Sequence, residues 1–485
     1  MGEAKKRRAI EVQKFPRSKP MNRARFAILT MGTRMSPTAY MSEEISWWSS
    51  PDERALGLVA FDKNDRDYFW MILLRDRIGR FRCANLRVDF KSAQRAESEL
   101  RMAIFDLIDA GEIEKYGQQG DETNNPINLF QESVDQDPEK LHPYYKIVRD
   151  DPGHEPARLV LSELALWLAP SDPHLVREFQ TAGFDQRVWE FYLWAAFKEF
   201  SLDVEQLEAP DFWCRGPGID FTVEATTVGP SKDGALSNHP NPTTRPEVTE
   251  FLNNYMPPKF GSALMSKLNK TNKDGQHYWE LDKASGKPFA IAVADFHASL
   301  SKENPGTMTF TQSALWQYLY GQRVYWEFEG DKLIIKSNKI GTHVYEGKEA
   351  PSGFFDLKLA NNVSAVIFSN AGTMPKFNRM GVAAGWHPKD HTYFRSGFKF
   401  NPEPDAVLGT HFVEQVKEDG YVEWWTQEVQ VFHNPNAKKP LSFDWLLGAT
   451  HHYFEDGNLK SYGPNDAVLS SVTLIVKTVG NKAVL

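Results

Sequence analysis

The stretch PDFWCRGPGIDFTVEATT, residues 210–227, decides the reading of the chain. Alternating side chains on both sides of Arg215-Gly216-Pro217-Gly218 predict two short strands joined by a turn, because Gly and Pro favour a tight reversal. Pairing Cys214 with Ile219 sets Trp213 opposite Asp220, Phe212 opposite Phe221 and Asp211 opposite Thr222. Side chains alternate across a strand, so Thr222, Glu224 and Thr226 share one face while Phe221, Val223 and Ala225 fill the other. Asp211 then lies on the Glu224 face as its diagonal neighbour, about 7–8 Å away at Cα. Two acids there repel, and a hard divalent cation resolves the conflict. Mg²⁺ takes oxygen ligands, keeps several waters, and accepts one or two protein carboxylates beside substrate phosphate oxygens.

Upstream, QRVWEFYLWAAFKEF (186–200) reads as a helix that is apolar nearly all the way round, which makes it a buried one. Glu190 sits among Val188, Trp189, Phe191, Tyr192, Leu193 and Trp194. A buried carboxylate needs a partner, and the sequence leaves two open: a cation held at the site, or Arg187 one turn back.

A helical Glu190, then Pro210-Asp211, then Glu224-Ala225-Thr226 resemble the core pattern of the PD-(D/E)xK restriction-endonuclease-like nuclease superfamily. That pattern is a helix with a Glu, a strand with the PD acid, a strand with (D/E)xK, then a helix and further strands. The resemblance covers roughly 155–375. It implies an α/β fold with a mixed sheet flanked by helices, Mg²⁺ or Mn²⁺ as cofactor, and hydrolysis of nucleic acid, with DNA favoured, in bacterial restriction or antiphage defence. Asp211 and Glu224 would bind the metal, and Glu190 would orient it or a bound water.

The family's lysine position is held here by Thr226, whose hydroxyl supplies no cation. Some members carry the lysine on the following helix. In KFGSALMSKLNK (259–270) Lys267 lies seven after Phe260, four after Ala263 and three after Leu264, on the apolar stripe. It would stabilise the developing negative charge. Without that substitution the alternative is a catalytically inactive nuclease-like module that binds nucleic acid or a partner protein.

Farther out, ALGLVAFD (55–62), DYFWMILLR (67–75) and GRFRCANLRVDF (79–90) read as strands and 92–110 as a helix, a small α+β unit. The polar run 118–138 reads as a linker. Helices are expected at 157–169, 174–183, 185–200 and 259–271, with strands at 289–295, 363–369, 422–432 and 470–478. The expected division is a basic arm (1–25), an N-terminal α+β domain (26–150), a nuclease-like core (151–375) and a β-rich C-terminal region (376–485).

The chain has 485 residues and a net charge of −8, so contact with a polyanion has to be local. Residues 1–25 hold nine Lys or Arg against Glu3 and Glu11, a phosphate-contacting arm or a solvated one. Cys83 and Cys214 provide no disulfide framework and no thiolate zinc site, which predicts a cytoplasmic protein. The most apolar stretch, 158–170, falls short of the roughly 20 residues a membrane span needs. No P-loop, GxGxxG, HExxH or GxSxG occurs. Weaker candidates are Lys376 and Arg379 for phosphate contact near a strand end, Asp295 and His297 at the edge of the site, and HNPN (433–436) as a turn. His451 and His452 read as structural. The oligomeric state, including a homo-oligomer, is open.

Overall fold

A computed structural model of the chain describes residues 18–111, 117–122, 126–132, 137–168, 174–237, 239–297, 311–330, 332–403, 406, 408–479 and 482–484. The basic residues at 5, 6, 7, 8, 14 and 17 lie outside the described residues, as does part of the expected linker.

Strands β1 (Lys19–Pro20), β2 (Ser42–Ser49), β3 (Ala55–Asp62), β4 (Asp67–Arg75) and β5 (Phe81–Phe90) form an antiparallel sheet in sequence order. Helices α1 (Arg23–Leu29) and α2 (Ser36–Met41) precede it in part, and α3 (Ala93–Asp109) follows. Ser92 caps α3 by accepting from the Arg95 amide, one of the donors a helix start leaves over. Leu100 and Ile104 of α3 lie over Gly57, where a Cβ would come within 2.9 Å of Leu100. The other sheet face, with Leu56, Leu58, Phe69 and Leu73, meets Phe26 and Leu29 of α1. Residues 18–25 therefore belong to the folded unit and correct the arm boundary expected at 25. Lys19 and Pro20 pair with Ser49 and Trp48, and Asn22 caps α1.

Next come α4 (Pro143–Asp150), α5 (Glu155–Ala165), α6 (Leu175–Gln180) and α7 (Phe184–Glu199), then β6 (Asp203–Gln206), β7 (Phe212–Gly216) and β8 (Ile219–Val228). Helix α8 (Arg245–Glu250) passes through one π-helical turn into α9 (Met256–Leu268), followed by β9 (Phe289–Asp295) and α10 (Gln312–Tyr320). Two hairpins, β10 (Gln322–Glu329) with β11 (Lys332–Lys339) and β12 (Thr342–Tyr345) with β13 (Lys348–Pro351), lead to β14 (Ala365–Phe368) and α11 (Met374–Ala383). The remaining strands are β15 (His391–Lys399), β16 (Thr410–Val416), β17 (Gln430–His433), β18 (Thr450–Glu455), β19 (Asn458–Tyr462), β20 (Val468–Val479) and β21 (Lys482–Val484).

The central sheet has eight strands in the order β19-β18-β17-β14-β9-β8-β7-β6. Strands β8, β9 and β14 are parallel neighbours, β6-β7-β8 is an antiparallel meander, and β17 runs against β14. The class is mixed α/β, with mixed sheets flanked by helices. Strand β9 reads FAIAVAD, and its first six residues are buried, as expected for a strand covered on both faces. Phe221, Val223 and Ala225 of β8 join Trp189 and its neighbours on α7 in one core, while Val228, Ile291 and Val293 join Phe260 and Leu264 of α9 in another. Strand β8 is thus pressed between α7 and α9.

The sheet crosses the boundary expected at 375, because β17, β18 and β19 complete it. Of the strand expected over 422–432, only the part from Gln430 is extended; Glu423 and Glu428 before it turn inward to buried cations. Beyond β14 a separate four-stranded sheet forms in the order β16-β15-β20-β21. Among the described residues no helix is long and apolar enough to cross a membrane.

Trp189 fixes α7 on the sheet: its indole Nε1 donates to the Ala292 carbonyl at 3.3 Å, and its ring lies against Gly372. A Cβ on Gly372 would sit 2.4 Å from that ring. Gly372→Ala is therefore expected to destabilise the chain by about 1–3 kcal/mol through overpacking. Denaturant unfolding checks this, and an unchanged midpoint would mean that α7 can shift without loss.

Candidate active site

The hairpin forms, but two residues farther along β8 than the sequence suggests. Phe212 pairs with Val223, Trp213 with Thr222, Cys214 with Phe221, Arg215 with Asp220 and Gly216 with Ile219. The loop is therefore only Pro217-Gly218: proline presets the first corner and Gly218 takes a φ of 73°, which suits a type II turn. A shift of two keeps every side chain on its expected face, since the strand period is two. Continuing the register sets Asp211 directly opposite Glu224 instead of diagonal to it. The Asp211 carboxylate closes the ladder there, its Oδ2 accepting from the Ala225 amide at 2.6 Å. Its Oδ1 has no donor among the described residues.

Glu224 is almost wholly enclosed, and Lys267 answers it: Nζ lies 2.6 Å from Glu224 Oε1, with Lys270 Nζ at 3.9 Å from the same oxygen. The geometry of α9 brings this about. Lys259, near the start of α9, donates to Ser231 Oγ just beyond the end of β8 at 3.1 Å. The eight helical residues from Lys259 to Lys267 span about 12 Å. Four strand residues, from Glu224 to Val228, span about 13 Å. Helix and strand run in opposite directions at matching length, so Lys267 arrives over Glu224. Lys270 follows three residues later on the same side, a spacing that would have identified it in the sequence.

Glu190 is committed elsewhere. Its Oε2 accepts from Arg187 at 2.7 Å and its Oε1 from Gln186 at 2.9 Å, and Arg187 also holds Glu178. Of the two partners left open by the sequence, Arg187 is in direct contact with Glu190. The reason is local: Arg187 and Gln186 lie three and four residues before it on α7, the separations that bring helical side chains together. Gln186 was missed in the sequence, although its i, i+4 spacing marks it.

Burial, with the Asp211 charge added, pushes the carboxyls of Glu190 and Glu224 up to about 7. Arg187 and Lys267 pull in the other direction. Asp211 thus acts on both glutamates, although they come from helix and strand in different layers. Thr226 shares the Glu224 face and is buried, and the Thr222 hydroxyl on that face is buried with no hydrogen-bond partner among the described residues. The oxygens of Asp211 and Glu224, with an orphaned hydroxyl nearby, suit a hard divalent cation. They are two acids only: no group of three or more His, Cys, Asp or Glu able to hold a metal occurs among the described residues.

Two expected surface contacts are corrected. Lys376 and Arg379 are on α11, not at a strand end, and both are fully buried. Lys376 reaches Glu423 at 2.7 Å and Glu428 at 2.8 Å, Arg379 forks onto Glu423 at 2.8–3.2 Å, and Arg395 joins both acids. These cations anchor the C-terminal sheet and face no solvent from which a phosphate could come. Asp295 ends β9 beside Val228 and orients His297, with Oδ1 2.7 Å from Nδ1; this pair lies a strand's half-length from Glu224. His433 of HNPN contacts His451 at 2.8 Å, and His452 contacts Gln430 and Ser461; the three histidines are buried.

The raised carboxyl values fix a pH dependence. Between about pH 4.5 and 7 the folded chain holds protons that the unfolded chain releases, so stability falls as pH rises through that window. Removing the ammonium in Lys267→Met leaves an ionised, buried Glu224 with only the half-exposed Lys270 at 3.9 Å. The expected cost is about 3–5 kcal/mol at pH 8, shrinking at pH 5.5 where Glu224 takes a proton. Urea melts at the two pH values test this, and an equal cost at both would contradict the pairing.

Compared with protein-family models, with curated proteins and with solved structures, the chain matches none, and what the site does has to be reasoned from its own residues.

Proposed function

We propose that the chain is a metal-dependent nuclease of the PD-(D/E)xK restriction-endonuclease-like type, hydrolysing phosphodiester bonds of nucleic acid, with DNA favoured. The observation that carries this reading is Lys267 on the helix after β8, 2.6 Å from Glu224. It supplies the cation that Thr226 cannot.

Asp211 and Glu224 would hold Mg²⁺ or Mn²⁺. When bound, such an ion lowers the pKa of a water and offsets charge on a phosphoryl group. The chain's own groups do the rest. Lys267, fixed against Glu224 and only 16% exposed, presents a preorganised positive charge to a developing phosphorane oxygen. Lys270, half exposed beside it, steers the approaching phosphate. Asp211 is held by the Ala225 amide, so its second oxygen keeps one direction. Arg215 of β7 and Lys283 and Lys287 before β9 gather over the Trp213 ring at 4.1, 4.2 and 5.1 Å; Glu205 pairs with the first two, and the cations outnumber it, which suits a sugar-phosphate backbone.

A second reading, an inactive nuclease-like module that binds nucleic acid or a partner protein, draws on Glu190. With both oxygens taken by Arg187 and Gln186, it adds no ligand to the pair of acids.

Incubating linear DNA and RNA with the protein in Mg²⁺, Mn²⁺ or EDTA separates the two readings. The nuclease reading expects cleavage that EDTA stops. Lys267→Met should slow it by roughly 10²–10³-fold, the usual scale for losing one preorganised charge. Glu224→Ala should abolish it. Cleavage that persists in Glu224→Ala would contradict the assignment, and binding without cleavage in every metal would favour the module.

A further inference from the structure

A cavity of about 890 Å³ opens between the N-terminal sheet and the C-terminal end of α7. Its volume is in the range of small-molecule sites. The walls are mostly apolar, with Phe26, Leu58, Phe69, Met71, Leu202 and Met380 among them. One charged side chain in this lining stands apart. Lys198 is only 9% exposed and has no ion-pair partner among the described residues. Its Nζ donates to the Arg34 carbonyl at 2.6 Å, which uses one of its three N–H groups.

The charges beside Lys198 are engaged elsewhere, while Glu418 and Asp419 of the lining are exposed. Glu199 turns away to the Thr426 amide and hydroxyl, at 2.9 and 3.0 Å. Arg34 forks onto Glu44, and Asp203, the acid whose charge acts on Lys198, accepts from the Ser36 amide at 2.9 Å. Burial lowers the Lys198 pKa to about 8, so at neutral pH the group still carries its proton. A buried ammonium with a single neutral acceptor is unfavourable until a counter-charge arrives. The cavity provides space for one, together with apolar walls.

We propose that this cavity binds an amphiphilic monoanion, a carboxylate on an aliphatic chain, with the chain against the apolar walls and the carboxylate on Lys198. The site is independent of Asp211 and Glu224 and of any nuclease activity.

Titration calorimetry on the full chain at pH 7 tests this, with decanoate as probe and decanol and decylammonium as controls of equal length. Expected is saturable binding of one decanoate, about tenfold or more tighter than decanol, as a charge-assisted contact would give. Lys198→Met should reduce decanoate to the decanol level. Ala27→Trp, which fills the cavity from α1, should block both and keeps the test open if Lys198→Met does not fold. The proposal is overturned by decanol or decylammonium binding as tightly as decanoate, by unchanged affinity in Lys198→Met or Ala27→Trp, or by no saturable decanoate binding to the wild type.

Discussion

A carboxylate buried on a strand covered from both sides is the constraint on which the centre of this molecule depends. Glu224 lies in β8 between α7 and α9, with Asp211 directly across the hairpin adding a second negative charge. Desolvation and like-charge repulsion both oppose ionisation, and only a cation within direct contact can offset them. Lys267 meets that need, and in doing so it fixes how α9 lies along the strand. The helix cannot slide by a turn without separating Lys267 from Glu224 and Lys259 from Ser231.

The same constraint recurs on the other side of the sheet. Glu190 faces inward from α7, and Arg187 and Gln186 hold it from one turn back. Asp211, immediately before β7, acts on both glutamates. The three acids therefore form one electrostatic unit in which a change of charge at any member is felt by the others. A third buried set, Lys376, Arg379 and Arg395 with Glu423 and Glu428, joins the C-terminal sheet to α11. In each set the sequence separation of the partners differs: three residues at Glu190, 43 at Lys267, 44 at Arg379.

That difference explains what could be read from the sequence. The strands 55–62, 67–75 and 289–295 and the helix over 186–200 were legible because local apolar periodicity dictates them. The face assignment on β8 was legible too, since it depends only on alternation. The register was not, because Pro217-Gly218 can close a two-residue loop as readily as a four-residue one, and cross-strand packing makes the choice. Lys267 was found from its inward position on α9, whereas its partner needed the fold. Lys376 and Arg379 misled because charge in a short polar run looks like surface. Their acids lie more than forty residues away in a stretch with no periodicity. The joining of β17, β18 and β19 to the central sheet was hidden for the same reason.

In the proposed site Asp211 and Glu224 would together hold one divalent cation. Electron paramagnetic resonance of Mn²⁺ titrated into the protein tests it without reference to activity. Expected is one bound Mn²⁺ per chain, tighter at pH 8 than at pH 6 as Glu224 loses its proton, and lost in both Asp211→Asn and Glu224→Gln. Saturable Mn²⁺ binding that survives both substitutions, or none in the wild type at pH 8, would contradict it.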